Sequence, residues 1–65
     1  MTISDADKAA CARREVVQRR RVYARLVITG RMSQDKADRE IALMEPIAAD
    51  YEARVEEQAK QERLL

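Results

Sequence analysis

Apolar residues in the second half of the chain recur at alternating spacings of four and three. The series consists of Ala37, Ile41, Met44, Ala48, Tyr51 and Val55. This spacing places all six side chains on one face of an α-helix and is typical of a seam between two packed helices. We therefore predict a helix over residues 33–62 that packs against a second helix through this face.

The first half of the chain contains a matching series, which predicts a helix over residues 4–29. The series consists of Ala9, Ala12, Val16, Arg20, Tyr23 and Val27. One charged residue, Arg20, interrupts this otherwise apolar face. Long arginine side chains can lie along apolar surface and keep the guanidinium in water. We expect Arg20 to lie opposite Met44 and to reach the carboxylate of Glu40 or Glu45.

The connection between the two helices is predicted over residues 30–32. Gly30 suits the left-handed backbone conformation that ends many helices, and Ser33 suits the N-cap of the next helix. So short a connection requires the helices to run antiparallel. The fold class is therefore all-α, a single domain over residues 1–65 that forms an antiparallel two-helix hairpin.

Pro46 lacks an amide hydrogen and crowds the preceding turn, so we expect the second helix to kink there.

Both helices carry more apolar residues than one partner helix can cover. A lone hairpin of this length buries too little surface to offset the entropy of ordering its residues. A homodimer with a four-helix arrangement would bury more, and the alternative is a marginally stable monomer. The residues predicted to form the core or the dimer contact are Val16, Val17, Tyr23, Ala24, Val27, Ile28, Ile41, Leu43, Met44, Ile47, Tyr51 and Val55.

The composition provides few groups for catalysis. The 65 residues include no histidine, one cysteine and one glycine. A catalytic triad, a phosphate-binding loop and an intramolecular disulfide are therefore excluded, and a zinc site has too few ligands. We predict no enzymatic activity, no cofactor and no metal. We expect the single thiol, Cys11, to be a small buried residue of the alanine-rich seam.

The N-terminal sequence and the length of the apolar runs bear on localisation. The stretch MTISDADKAA is acidic and lacks the apolar core of a secretion signal, and no apolar run approaches the length of a membrane span. We therefore predict a cytoplasmic protein that does not interact with membranes.

Charge is divided along the chain, although the formal net charge is only +1. Residues 1–32 carry eight basic and three acidic side chains, whereas residues 33–65 carry five and nine. The two predicted helices should therefore attract one another.

An outward ridge of the first helix is the candidate partner-binding surface. It consists of Arg14, Gln18, Arg21 and Arg25, with Val22 exposed beside it. An apolar residue among arginines is typical of the centre of a protein interface. Two alternatives stay open: the ridge is solvated or paired within the dimer, or it binds nucleic acid through phosphate contacts. Nucleic acid is less favoured because the net charge is near zero and no aromatic residues interleave with the arginines.

Residues 13–52 resemble a group of small phage and prophage proteins. The shared pattern comprises an arginine-rich run ending in Val22-Tyr23, then Gly30-Arg31-Met32, Ala37-Asp38-Arg39-Glu40-Ile41, Met44, Ile47 and Asp50-Tyr51. Among these, the chain is similar to phage anti-quorum-sensing proteins, which are anti-activators of the LuxR-type regulator LasR. The resemblance implies a dimeric helical inhibitor that binds a host transcriptional activator in the bacterial cytoplasm and stops it from engaging DNA.

Overall fold

The computed structural model describes residues 1–64 and contains two α-helices, α1 (Asp5–Ile28) and α2 (Gln34–Leu64), that pack against each other. No strand occurs within residues 1–64. The prediction of an all-α helical hairpin is thus confirmed. The molecule has the proportions of a flattened rod, with principal extents of 54 × 23 × 13 Å.

Helix α1 begins one residue later than predicted because Ser4 is its N-cap. The Ser4 hydroxyl accepts a hydrogen bond from the Asp7 amide at 3.1 Å, and the Asp7 carboxylate accepts one from the Ser4 amide at 3.3 Å. This reciprocal pair satisfies two amides that have no partner within the helix. The carboxylates of Asp5 and Asp7 also lie in the first turn, where they complement the helix dipole.

The turn after α1 is built around Gly30, whose φ of 75° lies in the left-handed region. The Gly30 amide donates to the Val27 carbonyl at 3.1 Å, and the Arg31 amide donates to the Leu26 carbonyl at 2.8 Å. These two bonds form a Schellman motif, which uses carbonyls left unpaired at a helix C-terminus. Helix α1 therefore ends at Ile28, and the prediction of a glycine-based stop is confirmed.

Helix α2 begins after Ser33, whose hydroxyl accepts a hydrogen bond from the Lys36 amide at 3.1 Å. The predicted N-cap is therefore confirmed, and as a cap Ser33 lies just outside the helix. The helix continues through Pro46 and reaches Leu64, the last described residue, so it extends past the predicted end at residue 62. A bend at Pro46 stays a prediction.

The core between the helices is thin. Its buried residues are Ala9, Ala12, Val16, Ala37 and Ala48. Val16 is the largest fully buried side chain, and it packs with Ala12 and Ala48 while Met44 covers the cluster. The rest of the predicted seam is only half-buried: Tyr23, Val27, Ile41, Met44, Tyr51 and Val55. Small residues bring the helices close together, but they bury little apolar surface.

Ion pairs on the surface connect basic α1 with acidic α2 in the antiparallel register. Arg13 contacts Glu45 and Glu52, and Arg20 contacts Glu45 through Nη2 and Oε1 at 2.5 Å. The Arg20 side chain remains 60% exposed, so the prediction that it extends out of the seam to a glutamate is confirmed for Glu45. Near the open end of the hairpin, the Gln58 amide donates to the Asp5 carboxylate at 2.9 Å.

Several large apolar side chains remain on the surface. Val17 is 60% exposed, Ile28 85%, and Leu43 and Ile47 are each 46% exposed. The accessible surface of 5251 Å² exceeds the roughly 4,200 Å² expected of a compact monomer of this size by about 1,000 Å². The hairpin alone therefore leaves an unusually large area uncovered.

Candidate interaction surfaces

One flank of α1 forms an open groove with α2, which we call the arginine groove. It has a volume of about 570 Å³ and is lined by Ala9, Ala10, Arg13, Arg14, Val17, Gln18, Arg21 and Glu52. Ala10 and Val17 are seven residues apart and therefore lie on the same side of α1, two turns from each other. Their side chains provide an apolar floor between charged edges.

The inner edge of the arginine groove is an ion pair between the helices. Arg13 Nε lies 3.0 Å from Glu52 Oε2, and Arg13 Nη2 lies 2.7 Å from Glu52 Oε1. Arg13 Nη1 also donates to Glu45 Oε2 at 3.0 Å. The hydrogen bonds from Arg13 lower the pKa of the Glu52 carboxyl below its usual range. The one carboxylate that lines the groove is therefore already compensated by the opposite charge.

The outer edge carries uncompensated positive charge. Arg14 and Arg21 are exposed, and neither forms an ion pair within residues 1–64. Arg25 is exposed one turn beyond Arg21 and is unpaired in the same range, although it does not line the groove. The groove therefore combines an apolar floor with a cationic rim.

The structure brings together three of the five predicted partner-binding residues. Arg14, Gln18 and Arg21 line one groove, but the valine between them is Val17 rather than Val22. Val22 is exposed, as predicted, but it does not line this groove. It is five residues from Val17, which places its side chain about 140° from that of Val17 around the helix axis. Val17 had been placed with the core or dimer residues. Val17 is three residues after Arg14 and four before Arg21, and this spacing in the sequence indicates that the three residues share one face of α1.

The remaining arginines of the first helix are engaged with glutamates. Arg19 Nε donates to Glu15 Oε1 at 2.8 Å, and its Nη1 donates to the Glu40 carbonyl at 2.9 Å. These contacts raise the pKa of Arg19, with the hydrogen bond to Glu15 as the main cause. Arg13, Arg19 and Arg20 are therefore paired, whereas Arg14, Arg21 and Arg25, the arginines of the predicted ridge, form no ion pair within residues 1–64.

A second groove lies on the opposite flank of the hairpin, and we call it the tyrosine groove. It has a volume of about 360 Å³ and is lined by Ile3, Asp7, Lys8, Cys11, Ala12, Glu15, Met44, Ile47 and Tyr51. It shares no residue with the arginine groove. Two cations lie over the Tyr51 ring, with Lys8 Nζ 5.5 Å and Arg54 Cζ 4.9 Å from its centroid.

Cys11 is exposed in the tyrosine groove, so the prediction of a buried thiol is wrong. The buried positions of this part of α1 are Ala9 and Ala12. Each residue advances the helix by about 100°, which turns Cys11 away from the contact with α2.

The apolar residues predicted to flank the seam divide between the two sides of the hairpin. Val17 lines the arginine groove, and the spacing of α1 places Ala24 and Ile28 on the same flank. Ile47 lines the tyrosine groove, and Leu43 lies one turn before it on α2. These residues therefore form two separate apolar surfaces rather than one.

Within residues 1–64, no three His, Cys, Asp or Glu side chains lie close enough to hold a metal ion. Over the same range, every buried side-chain nitrogen or oxygen has a hydrogen-bond partner. Neither described helix is both long enough and apolar enough to cross a bilayer.

Comparisons with protein-family models, with curated proteins and with solved structures gave no match to this chain.

Acidification tests the ion pair at the edge of the arginine groove. Because Arg13 lowers the pKa of Glu52 in the folded chain, their contribution to stability is present above the unfolded-state pKa of about 4.3. It is lost as the pH falls through the lowered pKa. Glu52→Gln should therefore lower the melting temperature at pH 6, and its difference from wild type should shrink towards pH 2.5. Circular dichroism at 222 nm measures both midpoints.

Glu57→Gln is the matched control, because Glu57 is exposed and forms no ion pair within residues 1–64. Its melting temperature should follow that of the wild type across the pH range. A difference between Glu52→Gln and wild type that stays constant down to pH 2.5 would contradict the role of the Arg13 pair.

Proposed function

We propose that this chain is a non-enzymatic, homodimeric regulator that binds a host transcriptional activator of the LuxR type and prevents it from engaging DNA. The observation that carries the proposal is the arginine groove, in which the exposed Val17 lies between Arg14 and Arg21. An apolar contact flanked by arginines without ion-pair partners is typical of energetically important positions in protein interfaces.

The division of the arginines supports a protein partner over nucleic acid. Binding to DNA by a small helical protein depends on the number of phosphates that its cations neutralise. Because Arg13, Arg19 and Arg20 contact glutamates, few cations of the α1 cluster remain for such contacts. The apolar floor of the groove, in contrast, does not contribute to phosphate binding, which depends on cations.

The resemblance to phage anti-quorum-sensing proteins supports the choice of partner. The shared arginine-rich run contains Arg14, Val17, Gln18 and Arg21, all of which line the arginine groove. The motif therefore includes this surface as well as the turn and the helix seam. A LuxR-type regulator such as LasR is the partner that the resemblance implies.

Self-association fits the tyrosine groove better than the arginine groove. In a twofold dimer the same patch faces itself, so a patch with excess charge of one sign opposes like charge. The arginine groove carries three arginines against one glutamate, whereas the tyrosine groove is mostly apolar and its charges nearly balance. The excess surface of about 1,000 Å² is comparable to the roughly 800 Å² that each partner buries in a standard interface.

The proposal is tested by releasing a LuxR-type regulator from its promoter. Purified LasR is bound to labelled promoter DNA, and this protein is titrated into the complex while the retarded band is followed by gel electrophoresis. Wild type should remove the band, and a Val17→Asp, Arg21→Glu variant should need at least tenfold more protein because its groove has lost both its apolar and its cationic contacts.

Ala53→Asp, Arg39→Glu serves as the charge-matched control, since both residues are exposed on α2, neither lines the arginine groove, and Arg39 is unpaired within residues 1–64. It should behave as wild type, and circular dichroism should show that all the variants are helical. If wild type leaves the band unchanged, the proposed partner is wrong. Equal potency of wild type and the groove variant would place the binding surface elsewhere, and retardation of DNA by this protein alone would favour the nucleic-acid alternative.

A further inference from the structure

We infer that the arginine groove receives an amphipathic α-helix of the partner protein, on which two acidic residues flank an aliphatic anchor. This inference rests on the proposed function, because it names the kind of segment that the same groove binds. It depends on the geometry and charge of the groove and not on the identity of the partner.

The groove does not suit the other common ways of binding a peptide. Strand addition requires an exposed sheet edge, and residues 1–64 contain no strand. Proline-rich segments bind in grooves lined by aromatic rings, but no aromatic residue lines the arginine groove, and Tyr51 lies in the groove on the opposite flank. Of the remaining modes, a helix placed in a groove is the one that uses an apolar floor, whereas recognition of an acidic or phosphorylated motif by arginines alone does not.

The length and construction of the groove match a short helix. The α1 residues that line it run from Ala9 to Arg21, a rise of about 18 Å or roughly three helical turns. Glu52 of α2 lines its other edge. A third helix lying there would contact both helices of the hairpin, and the small side chain of the exposed Ala10 allows its backbone to approach closely.

The spacing of the charged residues predicts the pattern on the partner helix. Arg14 and Arg21 are seven residues apart, about 10 Å along α1, and Val17 lies between them. A helix packed alongside presents side chains at the same intervals, so acidic residues seven apart would meet the two arginines. An aliphatic residue three or four positions after the first acidic residue would then lie over Val17.

Charge complementarity selects acidic over basic helices. Arg14 and Arg21 have no ion-pair partner within residues 1–64, while the groove's one carboxylate, on Glu52, is held by Arg13. A guanidinium binds a carboxylate through two parallel hydrogen bonds, which an ammonium group cannot reproduce. Lysine at positions 14 and 21 should therefore weaken binding even though the charge is retained.

The test uses three fluorescein-labelled peptides of 18 residues, each acetylated and amidated, in an alanine and glutamine background. The first carries glutamates seven residues apart with a leucine between them, and the second has lysines in place of the glutamates. The third has the sequence of the first except that one central alanine is replaced by proline, so the glutamates and the leucine are kept while the helix is broken. Fluorescence anisotropy with the full-length chain should show binding of the first peptide and at least tenfold weaker binding of the other two.

Variants of the full chain locate the binding site. Arg14→Gln, Arg21→Gln and Val17→Ser should each weaken binding of the acidic peptide, and Arg14→Lys with Arg21→Lys should weaken it by a smaller factor. Arg31→Gln with Arg39→Gln is the control, because both residues are exposed and unpaired within residues 1–64 and neither lines the groove. Circular dichroism verifies that each variant is helical.

Several outcomes would overturn the inference: equal binding of the lysine peptide, equal binding of the proline peptide, or displacement of the acidic peptide by a duplex DNA of unrelated sequence at equal concentration. If LasR is released from its promoter but the acidic peptide does not bind, this inference fails while the proposed function stands. If the peptide binds at the groove but LasR is unaffected, the inference stands and the proposed partner is wrong.

Discussion

The Leu43→Glu, Ile47→Glu double variant should sediment as a monomer at concentrations at which we expect the wild-type chain to form the proposed homodimer. Each of these side chains is 46% exposed in the hairpin, and they lie one turn apart on the tyrosine-groove flank of α2. In a twofold dimer the double variant would place four carboxylates in a mostly apolar contact, where unpaired charge is strongly disfavoured. The dimer Kd should rise at least a hundredfold, or about 2.7 kcal/mol.

Sedimentation equilibrium over micromolar concentrations measures this change. The control is Ala42→Glu, Ala53→Glu, which adds the same charge at exposed positions of α2 away from the tyrosine groove. It should dimerise as wild type. If Leu43→Glu, Ile47→Glu dimerises as wild type while the control does not, copies associate through the other flank. A wild-type chain that is folded and monomeric throughout would contradict the homodimer itself.

The parts of the fold that depend on local chemistry could be predicted from the sequence. The cap at Ser33 and the stop at Gly30 follow from hydrogen bonds between neighbouring residues and were predicted. The predicted start of α1 at Ser4 is one residue too early, because Ser4 is the N-cap. The seam from Ala37 to Val55 could be found because a spacing of four and three identifies one face of a helix without knowledge of its partner.

The sequence could not predict on which side of the hairpin the flanking residues of each helix lie. Helical periodicity gives the angle of a residue around its own helix, but it does not state on which side of the hairpin that flank lies. Val17 and Ile47 were therefore grouped together, although they line opposite grooves. The side of the hairpin on which a residue lies depends on contacts between α1 and α2, such as those of Arg13 with Glu45 and Glu52. These contacts could not be predicted, because several other glutamates in α2 were equally plausible partners for Arg13.

The two grooves differ in charge, and under the proposed function this difference would give them separate roles. The arginine groove has excess positive charge around an apolar floor and therefore favours an acidic partner over a second copy. The tyrosine groove is mostly apolar, and self-association there would leave the arginine groove open. A dimer of this kind would present two arginine grooves, so it could bind two partner helices, such as one from each subunit of a dimeric activator.

Ala48→Leu is expected to destabilise the hairpin more than other single apolar replacements in α2. Ala48 has no exposed surface and packs against Ala12 and Val16, so a leucine there must separate the helices along the thin core. Overpacking of this kind costs about 1–3 kcal/mol, a large share of the stability of so small a domain. Urea unfolding followed at 222 nm measures the loss, and the exposed neighbour offers a control, since Ala49→Leu should change stability by less than about 0.5 kcal/mol.

A second substitution distinguishes overpacking from other causes of that loss. Val16→Ala removes side-chain volume directly opposite position 48, so it should destabilise the wild-type chain but should restore part of the stability of Ala48→Leu. The coupling arises because the two side chains fill the same space between the helices. If the effects of the two substitutions simply add, Val16 and Ala48 do not share a contact in solution. In that case the antiparallel register on which both grooves depend would be wrong.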